Sequence, residues 1–216
     1  MKLKNCRFLI LATAVFAVLN FNSCIGLSMD IQMNRDGSGK LTLEYRLSRL
    51  LENLGKLDGN ELMPSVPVGR ADFERTIDRI PGMKISSFSV KDETKDTVYK
   101  AVLDFDNEKA LLQFLNPYAS ITRQGQSGTL KIILFDQLPS YDQDMMELIA
   151  ILSNDYDFSV SFSAPSNSTL TLNDAKGNSL KSQNVKLVPS GRKVSFSIGI
   201  MDTFELKDGL NLIFNW

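Results

Sequence analysis

Residues 29–47 read MDIQMNRDGSGKLTLEYRL and contain two alternating segments separated by a cluster of turn residues. In the second segment every other residue is apolar, namely Leu41, Leu43, Tyr45 and Leu47. A period of two is typical of a strand with one buried face. Between the segments, Asp36 and two glycines suit the positive φ of a tight turn, whereas the spacing of a calcium loop or a phosphate-binding loop is absent. The stretch therefore predicts an antiparallel hairpin.

The order of a hairpin followed by a helix recurs up to about residue 153. Alternating segments predict two further hairpins, within residues 83–105 and 118–135. Apolar residues spaced by three and four positions predict helices at about residues 48–59, 71–80, 108–116 and 141–153. This order indicates helices that pack against an antiparallel sheet.

From residue 155 onward the pattern changes to strands. The segment DFSVSFS at 157–163 alternates, and so does KVSFSIGI at 193–200. The residues expected on the buried face of the first of these strands are Tyr156, Phe158, Val160 and Phe162. We therefore expect an α+β fold, in which antiparallel β hairpins form a sheet covered by three or four helices, with a β-rich C-terminal portion. Residues 155–216 are a candidate β-rich sublobe.

The amino-terminal segment has the layout of a secretory signal. Three basic residues, Lys2, Lys4 and Arg7, precede an uncharged and mostly apolar run from Phe8 to Leu19. This run is too short to span a bilayer, because a transmembrane helix needs about 20 apolar residues. Small and polar residues follow, and then Cys24. Residues 1–23 are therefore predicted to be a signal peptide.

The segment that ends at Cys24 resembles a bacterial lipobox of the relaxed type found in spirochaete lipoproteins. Ser23 matches the small residue before the cysteine, while Phe21 and Asn22 replace the usual leucine and small residue. The resemblance implies cleavage before Cys24, a diacylglyceryl group on its thiol, and an acyl chain such as palmitate on its amine. Residues 24–216 would then be a lipid-anchored domain at the cell membrane or outer membrane, in the periplasm or on the cell surface. A secreted protein cut nearby and an uncleaved anchor are the alternatives.

Two stretches resemble the LppM-like bacterial lipoproteins. They are MDIQMNRDGSGKLTLEY at 29–45 and DFSVSFSAPSNSTLTLNDAKGN at 157–178, the latter followed by a final strand that ends in Trp216. The resemblance implies a mixed α+β domain displayed from a membrane, with lipid or glycolipid binding. It implies no enzymatic activity.

Composition excludes several classes of function. The chain of 216 residues has no histidine and two cysteines, so Ser-His-Asp and Cys-His nucleophile systems, histidine-containing metal sites and four-cysteine zinc sites are excluded. Without residues 1–23, three of the 24 basic side chains are lost, which leaves 21 against 25 acidic ones. This acidic balance disfavours nucleic acid and anionic lipid surfaces as partners. We expect no cofactor and no metal.

Carboxylates do not form a convincing catalytic pair in the sequence. Asp142, Asp144 and Glu147 lie at the start of a predicted helix, where acidic residues are expected from the helix dipole. Asp155 and Asp157 are two positions apart on a predicted strand and share its solvent face. We therefore expect a protein that is not an enzyme.

The helix predicted at 141–153 is apolar nearly all round, which favours either a central core position or contact with a ligand. Core packing is the favoured interpretation of this helix and of the helix at 108–116, because apolar helices usually cover sheets. The alternative is a ligand pocket between sheet and helices, with candidate lining residues Met145, Met146, Ile149, Leu152, Leu111 and Phe114. The function that follows is a non-catalytic envelope lipoprotein that binds a lipid, a glycolipid or another hydrophobic ligand. A protein-protein interaction module of the envelope or host-facing surface is the alternative, and its partners cannot be named from the sequence.

Overall fold

The structure, a computed structural model, describes residues 25–49, 69–136, 138, 141–180 and 185–216. Within these ranges the chain forms eleven strands and four short helices. The predicted signal peptide 1–23, Cys24 and most of the helix predicted at 48–59 lie outside them. The domain boundaries drawn at residues 23 and 24 therefore stay predictions.

A large sheet of seven strands takes four strands from residues 25–105 and three from residues 157–199. Its strand order is β3-β4-β2-β1-β7-β10-β9. The bounds are β1 Ile25–Met33, β2 Gly39–Ser48, β3 Met83–Asp92, β4 Asp96–Phe105, β7 Asp157–Ser163, β9 Lys186–Ser190 and β10 Lys193–Gly199.

A smaller sheet has the order β5-β6-β11-β8. Its strands are β5 Ala119–Gln124, β6 Ser127–Phe135, β8 Thr169–Asn173 and β11 Leu210–Asn215. The helices are α1 Arg70–Ile77, α2 Glu108–Leu115, α3 Gln143–Ser153 and α4 Ile200–Thr203. The strands after residue 155 thus enter both sheets.

The three predicted hairpins are confirmed. β1 pairs antiparallel with β2, β3 with β4, and β5 with β6. The first turn forms as its residues predict, because the Asp36 carboxylate accepts hydrogen bonds from the Ser38 N–H at 3.0 Å and from the Ser38 hydroxyl at 2.7 Å. Gly37 has a φ of 85°, a conformation that glycine adopts without steric strain.

The long-range pairing in the centre of the large sheet does not follow from local patterns. β1 runs parallel to β7, with Leu27 opposite Phe158 and Gln32 opposite Ser163. β10 then adds antiparallel to β7, with Ser195 opposite Ser161. This parallel pairing joins the first hairpin to the C-terminal strands in one sheet.

The hydrophobic core lies between the two sheets. Phe162 of β7 contacts the rings of Phe214 and Trp216, with centroid distances of 5.3 and 5.2 Å. Phe162 and Phe214 are fully buried. Because these rings join facing sheets, the apolar side of the large sheet is closed here by strands rather than by helices.

The prediction of a sheet covered by three or four helices is therefore wrong. In the described residues the chain is mostly β, and its four helices are short. α1 packs against β3, α2 packs against β4 and β5, and α3 packs against α4. The error has a physical cause: an alternating pattern shows that one face of a strand is buried, but not whether a helix or a second sheet covers it.

The positions of α2 and α3 follow the sequence closely. Asn107 caps α2, since its side-chain oxygen accepts a hydrogen bond from the Ala110 N–H at 3.0 Å. The helix ends at Leu115, two residues before Pro117. These two helices were thus predicted correctly, whereas the layering of the fold was not.

Candidate functional site

The face of the large sheet that points away from the smaller sheet is polar. This polarity follows from the same alternation that places apolar residues on the other face, because side chains at successive positions of a strand point to opposite sides. The polar residues of its three central strands are Ser28, Asp30 and Gln32 of β1, Thr42, Glu44 and Arg46 of β2, and Ser159, Ser161 and Ser163 of β7. We call this surface the outer face.

A pocket of about 240 Å³ lies at one end of the outer face, where β1 and β7 begin. Its lining residues come from three neighbouring strands and the segment before β7. They are Gly26, Leu27 and Ser28 of β1, Glu44 and Arg46 of β2, and Asp155, Tyr156, Asp157 and Ser159. We call it the β1 pocket.

A glycine and a tyrosine shape the β1 pocket. A Cβ placed on Gly26 would lie 3.2 Å from Cδ1 of Tyr156, so the ring occupies the side to which a side chain of residue 26 would point. The Tyr156 hydroxyl donates a hydrogen bond to the Asp96 carboxylate of β4. The ring is thus fixed across the start of the sheet.

The backbone of Tyr156 is also held at both ends. Its N–H donates to the Ser153 carbonyl at 3.0 Å, and its own carbonyl accepts from the Ile200 N–H at 3.1 Å. These bonds tie the residue to the end of α3 and the start of α4. Because hydroxyl and backbone are both engaged, the pocket wall is preorganised.

Arg46 is surrounded by carboxylates. Its guanidinium lies 3.1 Å from Glu93, 3.8 Å from Glu44 and 3.9 Å from Asp96. Hydrogen bonding by Lys91, at 2.8 Å, is the main cause that lowers the pKa of Glu93, and the charge of Arg46 adds to it. The cation of the pocket is therefore already paired within the protein.

The carboxylates on the β7 side have weaker partners. Asp155 lies 3.4 Å from the ammonium of Lys95, and both side chains are more than 70% exposed, at 72% and 81%. Asp157 accepts a long hydrogen bond of 3.4 Å from the Ser197 hydroxyl. An exposed ion pair of this kind contributes little, about 0–1 kcal/mol. These two carboxylates remain available as hydrogen-bond acceptors.

The six candidates for an apolar pocket lie on two helices with different packing partners. Leu111 and Phe114 of α2 are buried in the main core. In α3, Ile149 is buried and Met146 is partly exposed, while the side chains of Met145 and Leu152 lie outside the described set. The lining of the β1 pocket includes none of the six. The predicted apolar pocket stays a prediction.

The sequence pattern missed the β1 pocket for two reasons. The alternating pattern predicted Tyr156 on the buried face together with Phe158. β7 begins only at Asp157, so the alternation of side chains between the two faces of the strand does not extend to Tyr156. The contact between Tyr156 and Gly26 joins residues 130 positions apart, which no local pattern reveals. A glycine inside an otherwise alternating strand was the available hint of a close approach.

The described ranges contain neither a helix that is long and apolar enough to span a bilayer nor a group of acidic or cysteine side chains arranged to hold a metal ion. Lipidation of Cys24 lies outside those ranges and stays a prediction.

Comparison with known proteins gives one structural similarity. No family model matches the chain, and no curated protein sequence matches it. Among solved structures, the folded domain of LppM from Mycobacterium tuberculosis, determined by NMR, is similar to this chain with a TM-score of 0.41 and 16% identity. The match covers 82% of this chain and 90% of that one.

Proposed function

We propose that this chain is a non-catalytic, lipid-anchored envelope protein, and that its β1 pocket binds the polar part of an envelope lipid or glycolipid. The observation that best supports this proposal is the position of the pocket. Its floor begins at Gly26, two residues after the predicted lipidation site Cys24. An extended chain covers about 3.5 Å per residue, so the anchor would attach within about 7 Å of the pocket floor.

The lining supports recognition of a head group rather than of an acyl chain. Carboxylates, a guanidinium, serine hydroxyls and a tyrosine surround the space. Polar groups of this kind form hydrogen bonds, whereas an acyl chain would leave them without partners. The acyl chains of a bound lipid would stay in the bilayer, and its polar head would enter the pocket.

Binding without catalysis agrees with the chemistry of the lining. Acid-base catalysis by two carboxylates needs environments that separate their pKa values. Here Glu44 is within 3.5 Å of the ammonium of Lys100, and Arg46 is paired with carboxylates. The chain also contributes no histidine. The lining groups can form hydrogen bonds with a polar ligand, which supports a binding role.

Cys24→Ser tests the anchor. We expect the full-length variant to lose incorporation of radiolabelled palmitate and to move from the detergent phase to the aqueous phase, because the acyl chains supply the membrane affinity. Cys6→Ser is the matched control, since Cys6 lies in the predicted signal peptide and should leave labelling unchanged. A Cys24→Ser protein that is still labelled and membrane-bound would refute the anchor.

Ser28→Leu tests the pocket. Ser28 lines it from an exposed position, so a leucine fills the space without entering the core. We expect lipid that co-purifies with the full-length protein, measured by mass spectrometry, to fall about tenfold, equal to about 1.4 kcal/mol of binding. Gln32→Leu, exposed on the same strand and face, should retain the lipid. Wild-type protein that repeatedly carries no lipid would exclude this function.

The edge strand β9 favours an interaction module as the second candidate. Leu187 and Val188 on this strand are 45% and 59% exposed, and β10 is its neighbour in the large sheet. Exposed apolar edges can accept a strand from a partner. If this candidate holds, Val188→Lys should abolish recovery of a cross-linked envelope partner, and Ser28→Leu should not.

A further inference from the structure

An exposed apolar side chain, Ile151, lies on α3. Its exposed fraction is 78%, the largest among the exposed large apolar side chains of the described residues. A single exposed apolar residue is common on protein surfaces and needs no explanation by itself. What Ile151 does therefore depends on the rest of α3 and on where the helix lies.

α3 is strongly apolar for a helix that has one side exposed. Seven of the eight residues from 145 to 152 (MMELIAIL) are apolar. Ile149 is buried, and because it is two positions from Ile151, the two side chains point to opposite sides of the helix. Among the described elements, the main packing partner of α3 is α4, which has four residues. The folded chain thus covers one side of α3 and leaves Ile151 exposed on the other.

Hydrogen bonds place the C-terminal end of α3 beside the start of β1. The carbonyl of Ser153, the last residue of α3, accepts a hydrogen bond from the Tyr156 N–H at 3.0 Å. The Tyr156 ring in turn lies against Gly26, two positions after Cys24. Ile151 is in the last turn of α3, and this turn is tied to the start of the sheet.

The predicted lipidation site is directly joined to the large sheet. β1 begins at Ile25, the residue after Cys24, and Ile25 is already paired with Leu47 of β2. Consecutive Cα atoms are about 3.8 Å apart, so a lipidated Cys24 would hold the start of β1 at the bilayer surface. The last turn of α3 would then lie close to the lipid as well.

We propose that the last turn of α3 lies in the membrane interface, where Ile151 inserts between lipids beside the predicted anchor. The proposal rests on the anchor in the proposed function, and it does not depend on what the β1 pocket binds. An interfacial helix buries its apolar side about 5–10 Å into the boundary between head groups and acyl chains. The partner of this surface is thus a lipid bilayer, and the contact orients the domain with the start of β1 toward it.

The contact is apolar rather than electrostatic. α3 carries Asp144 and Glu147, which are both exposed, and no basic residue. Anionic lipids would be repelled by these carboxylates. A zwitterionic bilayer of phosphatidylcholine should therefore suffice for the contact, and added phosphatidylglycerol should not strengthen it.

A fluorescent label at position 151 tests the contact. Cys6 lies in the predicted signal peptide and Cys24 would be acylated, so Ile151→Cys introduces a thiol that can be labelled selectively. Full-length lipidated protein is placed in phosphatidylcholine vesicles with or without bromine on the acyl chains. If the side chain lies at the depth of an interfacial helix, brominated lipid should quench about half of the emission.

Gln32→Cys is the matched control for the label. Gln32 is exposed and lies on β1, six residues beyond Gly26, which corresponds to about 20 Å along the strand. We expect brominated lipid to leave the emission of a label at position 32 unchanged.

Hydrogen exchange of the unlabelled protein excludes an effect of the label itself. In vesicles, Ile151→Lys should speed amide exchange in residues 143–153 relative to wild type, because a charged side chain does not stay among acyl chains. In the background of Cys24→Ser, which should leave the protein in the aqueous phase, the same substitution should change nothing, since Ile151 is exposed to water there.

The outcomes separate this proposal from the anchor. Equal quenching at positions 151 and 32 would overturn the interfacial contact and leave the anchor intact. Exchange that Ile151→Lys leaves unchanged in vesicles, or that it speeds equally in the Cys24→Ser background, would overturn it too. A label at position 151 that is shielded from iodide in water but not quenched by brominated lipid would show that protein covers the helix, which also contradicts the proposal. Cys24→Ser protein that stays membrane-bound would refute the anchor itself.

Discussion

The two ends of the large sheet each contain a glycine of the first hairpin, and the two glycines meet different neighbours. At Gly39, a Cβ would overlap the Gln32 carbonyl oxygen and lie 2.6 Å from Cζ of Phe105. At Gly26, a Cβ would lie 3.2 Å from the edge of the Tyr156 ring. A side chain at Gly39 would therefore meet backbone and a core ring, whereas a side chain at Gly26 would first meet the ring of Tyr156, which lines the β1 pocket. We call these two ends of the sheet the Gly39 end and the pocket end.

An ion pair also joins neighbouring elements at the Gly39 end of the sheet. The Arg123 guanidinium of β5 lies 2.5 Å from the Glu108 carboxylate of α2, and both side chains are mostly buried. Arg123 also donates to the Arg35 carbonyl at 3.0 Å, next to the turn of the first hairpin. These contacts connect α2, β5 and the turn.

The largest expected effect comes from substituting the two glycines in turn. Gly39→Ala should lower the free energy of unfolding by about 3 kcal/mol, because the new methyl group meets backbone that cannot move aside. Gly26→Ala should lower it by less than about 1 kcal/mol, since a side-chain ring can shift by a few tenths of an ångström. Both values can be measured by urea denaturation. Equal losses in the two variants would contradict the contrast between the ends.

Removing the ion pair between Arg123 and Glu108 should have an intermediate effect on the free energy of unfolding. Arg123→Met should lower the free energy of unfolding by about 1–3 kcal/mol, because it leaves the Glu108 carboxylate partly buried without its cation. A double-mutant cycle with Glu108→Gln isolates the pair. A coupling energy near zero would show that the ion pair does not hold the turn.

The smallest expected effect is a dependence on pH at the same turn. Hydrogen bonds from the Ser38 hydroxyl, and next from the Ser38 N–H, lower the pKa of Asp36. A carboxylate with a lowered folded-state pKa stabilises the protein above its unfolded value of about 3.9, and this stabilisation is lost as pH falls through the folded value. Wild type should therefore exceed Asp36→Asn in stability near pH 6 and approach it near pH 2. A difference that is constant with pH would contradict this origin.

The sequence predicted the local elements because their causes are local. The turn at Asp36 and Gly37, the Asn107 cap and the alternation of β7 each depend on residues a few positions apart. The layering was not predictable in the same way. The contact of Phe162 with Phe214 and Trp216 joins the two sheets. The alternating pattern of β7, which places Phe162 on a buried face, is equally compatible with a covering helix.

The candidate site was less predictable than the fold. Asp155 and Asp157 are both exposed, as the sequence predicted, although Asp155 lies before β7. The pocket, however, depends on the parallel pairing that brings β1 beside β7. No spacing within the sequence specifies that pairing. Gly26 and Tyr156 therefore come together to line one pocket only in the folded chain.

The central position of β1 has a mechanical consequence. β1 is hydrogen-bonded to β2 on one side and to β7 on the other. If the chain is held at Cys24, a force applied to the rest of the domain pulls along β1, perpendicular to hydrogen bonds on both of its edges. Those bonds are then loaded together in shear rather than broken one after another. We expect single-molecule pulling from this end to require a higher rupture force than pulling that peels the edge strand β9.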